Sequence, residues 1–275
     1  MFSISRKLRR EAKTVGFVPT MGALHAGHLE LVEEARQRCD VLIVSIFVNP
    51  KQFNEKKDLD KYPRDLTADA AMLTDYDVDY VFAPDGEEIY PPGFTTYVNV
   101  EGLTDTLEGA SRPRHFRGVT TVVAILFNTV RPDIAFFGQK DAQQVAVIKR
   151  MTLDLGFETE IVVLPTVREE SGLAMSSRNA LLSEEDRAKA AIIITALSEG
   201  KLAFKQGERY AAELAETVRN RIETEPDAEV DYIAVVDRES LQPLEKIGDE
   251  EALIAAAVRI GGVRLIDNVI LNRKQ

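Results

Sequence analysis

The sequence predicts an α/β protein: a parallel sheet with helices on both faces, followed by a smaller C-terminal α+β domain with antiparallel strands. Three observations carry this. The run from Val41 to Val48 is almost continuously apolar, and a strand without polar alternation is one buried on both faces, as in a parallel sheet covered by helices. Upstream of it, a short apolar run and an amphipathic stretch complete a strand, helix, strand order, the βαβ unit. Near the C-terminus, ALIAAAVRI and VRLIDNVIL are separated only by Gly261 and Gly262, and a glycine pair between two strand-like runs signals a hairpin.

Taken in order, Met1 to Lys13 is polar and basic and reads as a surface helix. Val15 to Val18 is a β-branched and aromatic strand that Pro19 ends, with Gly22 and Gly27 just before a helix start. Leu29, Val32 and Ala35, flanked by Leu31, give that helix its apolar stripe. After the Val41 strand, the polar stretch from Asn49 to Asp65 reads as a long loop at the strand's C-terminal end, where open α/β sheets bind ligands. That position makes Gln52 a candidate contact; a solvated loop glutamine is the plainer alternative. A helix from Leu66 to Asp75 leads to a short strand in DYVFAPD. Val119, Val122, Val123, Leu126, Phe127 and Val130 then recur at helical spacing, as a core helix would.

Ile134 to Phe137 is a further strand, opening into GQKDAQQ and a helix carrying Val145, Ile148, Met151 and Leu155. Glu158 to Pro165 reads as the last strand of the parallel sheet. From Ser171 the small and polar residues of SGLAMSSRNALLS read as a mobile loop joining two domains. Ser183 and Asp186 form a capping signal for an alanine-rich helix to about Gln206, with another helix from Glu208. AEVDYIAVVD is the first of three C-terminal strands.

At 275 residues the chain can bury a full core and favours about two domains. Its formal charge of −11 supplies no global basic field, so nucleic acid and anionic membranes are excluded as partners held by charge, and any anionic substrate must be captured locally. The single cysteine, Cys39, forms no intrachain disulfide and suits a reducing cytoplasm. Arg6 to Arg10 is basic, yet the apolar run after it is too short for a signal peptide, and no run approaches a membrane span.

The chemistry concentrates in TVGFVPTMGALHAGH, Thr14 to His28. A strand, a glycine-bearing loop and a helix start make a phosphate-binding corner, because the helix N-terminus offers unpaired N–H groups and the positive end of a dipole. His25 and His28, two of three histidines in the chain, are three apart and can face one bound group. An ordinary glycine turn is the plain alternative. A metal pair would need a third ligand, and Cys39 lies a helix away while His115 sits in a basic segment. Arg112, Arg114, His115 and Arg117 form a local cluster of cations, either a solvated loop or a means of anion capture. In GQKDAQQ, Lys140 could neutralise a phosphate and Asp141 could accept from ribose hydroxyls, with Gln144 one helical turn on from Lys140. Ser176, Ser177 and Arg178 are potential phosphate donors.

FVPTMGALHAGH resembles the HxGH motif of the nucleotidyltransferase superfamily, and in this extended form the pantothenate synthetase family in particular. FVNPKQF, KYPRD, RPRHFRGVTTVV, FFGQKDAQQ, MSSRNALLS and RLIDNVIL are similar to that family's motifs, in the same order, from Val15 to the C-terminus. The N-terminal lead-in is shorter than is usual there, which bears on a first edge strand and on no motif.

The resemblance implies a Rossmann-like ATP- and pantoate-binding domain over 1–174 and a smaller domain over 175–275 that closes over the active site. It implies ATP-dependent condensation of pantoate with β-alanine through a pantoyl adenylate, with Mg²⁺, in a cytoplasmic homodimer. Carried over position by position, Met21, Gly22, Ala23, Leu24, His25, Ala26, Gly27 and His28 would bind ATP, as would Gly138, Gln139, Lys140 and Asp141. Val167 would meet adenine through its backbone, and Met175, Ser176, Ser177 and Arg178 would close over the phosphates. His28, His25, Lys140 and Arg178 would be the catalytic groups, and Gln52 and Gln144 would hold pantoate. Asp69 is a candidate outer contact to Mg²⁺; the metal's protein ligands are otherwise unassigned.

Other readings keep the corner and change the rest. A nucleotidyltransferase acting on a phosphorylated acceptor would ask for more cations beside the HxGH residues than two glutamines provide. A class I aminoacyl-tRNA synthetase needs a tRNA-binding surface that a chain of this size and charge lacks. A regulatory nucleotide-binding module would have no need of His28, Lys140 and Arg178 together.

Overall fold

The computed structural model describes residues 1–272. From the N-terminus, α1 (Phe2–Arg10), β1 (Val15–Thr20), α2 (Ala26–Arg38) and β2 (Val41–Ile46) succeed one another. All six residues of β2 are buried, as an apolar run without alternation requires. Then come α3 (Lys56–Lys61), α4 (Leu66–Leu73), β3 (Tyr80–Phe82), α5 (Gly86–Ile89), α6 (Leu107–Ser111), α7 (His115–Val130), β4 (Ile134–Gly138), α8 (Ala142–Asp154) and β5 (Glu160–Leu164). The five strands pair in the order β3-β2-β1-β4-β5, every pair parallel, with helices around them. The order reverses between β1 and β4, and such a switch point leaves a crevice at the strands' C-terminal ends.

The remainder comprises α9 (Glu184–Lys189), α10 (Ile192–Lys205), α11 (Ala211–Ile222), β6 (Glu229–Asp237), β7 (Ala252–Ile260) and β8 (Val263–Leu271). These three strands form an antiparallel sheet in sequence order. Gly261 and Gly262 both take positive φ between β7 and β8, the conformation a tight hairpin turn needs. Leu214, Val218 and Ile222 line one face of α11 and are fully buried with Leu197 and Ile254; each such side chain contributes about 1.5–3 kcal/mol of burial. By packing, the chain divides into Met1–Gln139 with Val147–Pro165, and Lys140–Ala146 with the residues from Thr166 on.

The α/β class, the parallel sheet and the antiparallel C-terminal hairpin stand as expected. Several details differ. Pro19 does not end β1, which continues to Thr20; pairing to β4 runs no further than Phe17, so beyond it that side of the strand is an edge, where proline is tolerated. The polar stretch after β2 is not all loop. It holds a 3₁₀ turn, Pro50–Gln52, capped by the Asn49 side chain, and the exposed helix α3. Leu155 lies past the end of α8 and is exposed rather than part of its apolar stripe. The Ser171 stretch contains a 3₁₀ turn, Ser177–Leu181, with the Ser176 hydroxyl as its cap. The alanine-rich helix divides at Ala190 and Ala191, where the Ala191 and Ile193 N–H groups bond only three residues back, to the Ala188 and Ala190 carbonyls. The next helix begins at Ala211, because the Glu208 carboxylate takes the N–H groups of Arg209 and Tyr210 first.

Candidate active site

At the end of β1 the chain turns through Met21 to Leu24 into α2. Gly22 has φ +78° and a side chain there would meet Asp69 Oδ2 at 2.7 Å, so both conformation and space call for glycine. The cause is Asp69 itself. Its buried carboxylate accepts the Ala23 N–H (3.0 Å) and the Leu24 N–H (2.7 Å), stapling the loop in place. Asp69, a candidate outer contact to Mg²⁺ by sequence, is turned onto the backbone of the corner.

His25 and His28 do meet, but not as two residues of one helical face. His25 is the N-cap, in extended conformation, and its Nδ1 accepts the Gly27 N–H at 3.1 Å. His28, three residues on, receives the His25 N–H on Nδ1 at 3.3 Å, closing a capping box with imidazoles in place of the usual hydroxyl and carboxylate. The ring centroids are 4.1 Å apart. Of the N–H groups expected to be unpaired at this helix start, that of Gly27 is therefore already bonded. Because a backbone N–H can only donate, Nδ1 of each neutral ring is the acceptor and the proton sits on Nε2. Both rings are thereby set to donate from Nε2.

Gln52 is buried, not a solvated loop residue. Its amide is oriented by a chain of bonds that leaves one arrangement. Tyr90 donates its hydroxyl to Asn49 Oδ1 (2.7 Å), Asn49 Nδ2 donates to Gln52 Oε1 (2.9 Å) and to the Gly118 carbonyl (3.1 Å), and Gln52 Nε2 points at Met21 Sδ (2.9 Å). Burial pushes the Tyr90 phenol well above its ordinary range, so it remains a donor at working pH. With Oε1 occupied, Gln52 presents its amide as a donor beside Met21. Gly118 permits this: a Cβ there would lie 2.4 Å from the Lys51 carbonyl oxygen and 2.7 Å from the Gln52 nitrogen.

The basic cluster separates into different environments. His115 is buried and its Nδ1 donates to the Gln52 carbonyl at 2.8 Å, so it serves as a support for Gln52 rather than as a surface cation. Arg112 approaches the same carbonyl. Arg117 stacks on Tyr97, 3.9 Å from the ring centroid, and Arg114 is exposed at the start of α7.

Gly138 ends β4, and Gln139 to Asp141 form a 3₁₀ turn. Lys140 Nζ lies 3.5 Å from Asp141 Oδ1, the lysine largely covered and the aspartate about half exposed. Gln144 is half-buried on the first turns of α8. The Val167 carbonyl accepts the Met175 N–H at 2.9 Å, which brings two of the expected ATP residues together. Ser176 and Ser177 are half-buried, and Arg178 is exposed on its turn. Glu169 holds this segment: its carboxylate accepts from Asn179 (2.7 Å) and from Arg187 through two bonds, and the Arg187 fork lowers its pKa. Among the described residues, no group of three or more His, Cys, Asp or Glu is arranged to hold a metal ion, and no helix is long and apolar enough to cross a membrane. Asn49, Glu169 and the loop-holding role of Asp69 went unread in the sequence. Asn49 is adjacent to a motif, but nothing in its type or spacing distinguishes a buried amide from a loop asparagine.

Comparison with known proteins places these features in one family. The sequence model of the Pantoate-beta-alanine ligase family matches residues 1–270. Pantothenate synthetase of Pelotomaculum thermopropionicum is 52% identical over 98% of this chain and 95% of its own length, and that of Syntrophotalea carbinolica is 54% identical over 94% and 92%. Among solved structures, pantothenate synthetase from Thermus thermophilus superposes with a TM-score of 0.89 at 48% identity, covering 96% of each chain. A pantoate-beta-alanine ligase from Francisella tularensis, complexed with Beta-gamma ATP and β-alanine, gives 0.79 at 36% identity, covering 100% of this chain and 96% of its own. With a match along nearly its whole length, this chain belongs to the pantoate–β-alanine ligase family.

Proposed function

We propose that the protein condenses pantoate with β-alanine at the expense of ATP, giving pantothenate, AMP and pyrophosphate through a pantoyl adenylate. The observation that carries the reading is the corner at the end of β1, where two imidazoles are set to donate from Nε2 while Gln52 presents an amide donor beside Met21. A carboxylate is a poor electrophile, and an AMP leaving group makes amide formation feasible in water. In the first step a pantoate carboxylate oxygen attacks the α-phosphorus and the bond to pyrophosphate breaks. In the second the β-alanine amine attacks the acyl carbonyl, loses a proton, and AMP leaves.

Phosphoryl transfer asks the protein chiefly for positioning and charge stabilisation. In this reading Met21 to His28, Gly138 to Asp141, Val167 and Met175 to Arg178 bind ATP. His28 donates from Nε2 to charge that grows as pyrophosphate departs, supported by His25, and Lys140 and Arg178 bring cations to the same phosphates. Gln52 and Gln144 hold pantoate by amide hydrogen bonds. Mg²⁺ belongs to the same reading as a companion of the phosphates, where oxygen ligands and water are its usual shell and it offsets their charge. A homodimer in the cytoplasm completes the reading by resemblance. Measuring AMP formation with ATP, pantoate and β-alanine, each omitted in turn, tests the whole: AMP released together with pantothenate only when all three are present supports it, and pantothenate made without ATP overturns it.

A further inference from the structure

We propose that Asp267 and Asn268, adjacent on β8, are positioning residues that set the ATP-binding segments at Lys140 and at 167–175. This rests on the ATP reading above and deepens it. RLIDNVIL is a family-like motif to which neither the chemistry nor the resemblance has given a task.

Successive side chains of a strand leave on opposite faces, yet Asp267 and Asn268 are both buried, at 4% and 5% exposure. Two consecutive buried polar residues need partners on both sides of the sheet. Asp267 finds Arg168: its carboxylate accepts from both terminal guanidinium nitrogens, at 2.6 and 3.1 Å. The same Arg168 donates to the Gly172 carbonyl (3.1 Å) and pairs with Ala174 in an isolated antiparallel bridge. It is flanked by Val167, whose carbonyl takes the Met175 N–H. One buried carboxylate therefore holds the loop whose two arms carry Val167 and Met175. Asn268 finds the other segment, its Nδ2 donating to the Lys140 carbonyl at 3.0 Å, which fixes the backbone from which the lysine ammonium projects. Its own N–H donates to Asp267 Oδ1 at 2.8 Å, so the two anchors are coupled. Opposite them on β7 stand Ala256 and Ala255, which bring no polar side chain of their own.

A merely structural role would lower stability and touch all substrates alike. A positioning role acts on ATP. The variants are Asp267→Asn, which keeps the shape and removes the charge from the Arg168 pair, and Asn268→Asp, which keeps the shape and removes the donor to Lys140. Leu265→Ala, a buried apolar neighbour on the same strand, is the control for lost stability. Melting temperature, the KM for each of the three substrates, and ATP binding by calorimetry are measured for each. Misplacement of about 1 Å can cost up to roughly a hundredfold; the expected result is a rise of about tenfold or more in KM and Kd for ATP in both variants, with pantoate and β-alanine KM within about twofold of the parent. Leu265→Ala should lower the melting temperature and leave the ATP KM within about twofold. Should Asp267→Asn fail to fold, Arg168→Lys, which keeps a charge but loses the fork, takes its place with the same expectation. ATP constants unchanged in the variants, or all three KM values raised together, would overturn the proposal. A parent protein that binds no ATP would overturn the functional reading along with it, whereas a parent that binds ATP beside indifferent variants sinks this inference alone.

Discussion

The two stretches assigned to ATP are built in opposite ways. The corner at Met21 to His28 is held largely from within: His25 and His28 cap their own helix start, while Asp69 and Gln52 reach it from outside. The segments at Lys140 and Val167 to Arg178 have little helix of their own and are held by distant side chains, Asp267, Asn268 and Arg187. The difference suggests a division of labour. Groups that must donate along a fixed line are best carried on a short, locally stiff element, while segments that admit and release a nucleotide can be held by a few side-chain anchors.

The largest effect expected from breaking the first arrangement is at His28. In the proposed reaction its Nε2 donor would gain value as charge develops in the transition state, and loss of one such preorganised donor costs roughly 10²–10³ in turnover. His28→Ala should therefore slow single-turnover adenylate formation by about that factor while ATP still binds within roughly tenfold of the parent. It should also forfeit about 1 kcal/mol of stability, since His28 is half of the capping box. Intact adenylate formation with only ATP affinity lost would make His28 a binding residue and shift the burden to Lys140 and Arg178.

Smaller, and specific to pantoate, is the effect of disturbing Gln52. Gln52→Ala should raise the pantoate KM about tenfold or more with little change for ATP, as removal of a hydrogen bond to a charged group would. Gly118→Ala tests the same point without touching the amide. The added methyl has to displace the Lys51 to Gln52 backbone, at about 1–3 kcal/mol by denaturant titration, and pantoate KM should rise with it. Equal losses for ATP in both variants would remove Gln52 from the pantoate site.

How far the sequence goes follows from the range of the contacts. Features that depend on neighbours along the chain were readable: the buried run of β2, the Gly261–Gly262 hairpin, and the cap at Ser183, whose hydroxyl accepts the Asp186 N–H. Those that depend on partners far away in sequence were not. Asp69, Asn49 and Asp267 look like any surface polar residue until folding buries them against Leu24, Gly118 and Arg168. The burial of His115 is illegible for the same reason: a histidine between arginines looks like one more cation, and the Gln52 carbonyl it serves is 63 positions away. Pro19 and Leu155 show the limit of local rules in the other direction, because whether a proline ends a strand or a leucine joins a core depends on which neighbours stop short. The HxGH residues are legible as a pattern, but the imidazole capping box depends on how the two rings fold back onto the helix start.

The smallest expected effect lies in the Glu169 anchor. Its pKa is lowered, first by the hydrogen bonds from Arg187. A depressed folded-state value means that the pair's stabilisation is present above the ordinary carboxylate pKa near 4.5 and is lost as pH falls through the lower, folded value. Glu169→Gln should flatten that acid limb of the stability curve by less than about 1 kcal/mol, because Arg187 remains half exposed. An acid limb unchanged by the substitution would show that the pair contributes nothing to holding the 169–179 segment.

In the proposed two-step reaction the α-phosphorus is attacked before the amine is used. The direct measurement is exchange of labelled pyrophosphate into ATP with pantoate present and β-alanine absent. Exchange that depends on pantoate, proceeds without β-alanine and falls by about 10²–10³ in His28→Ala is the result predicted, since that donor acts only on the step in which pyrophosphate leaves. Exchange that begins only when β-alanine is added would contradict it.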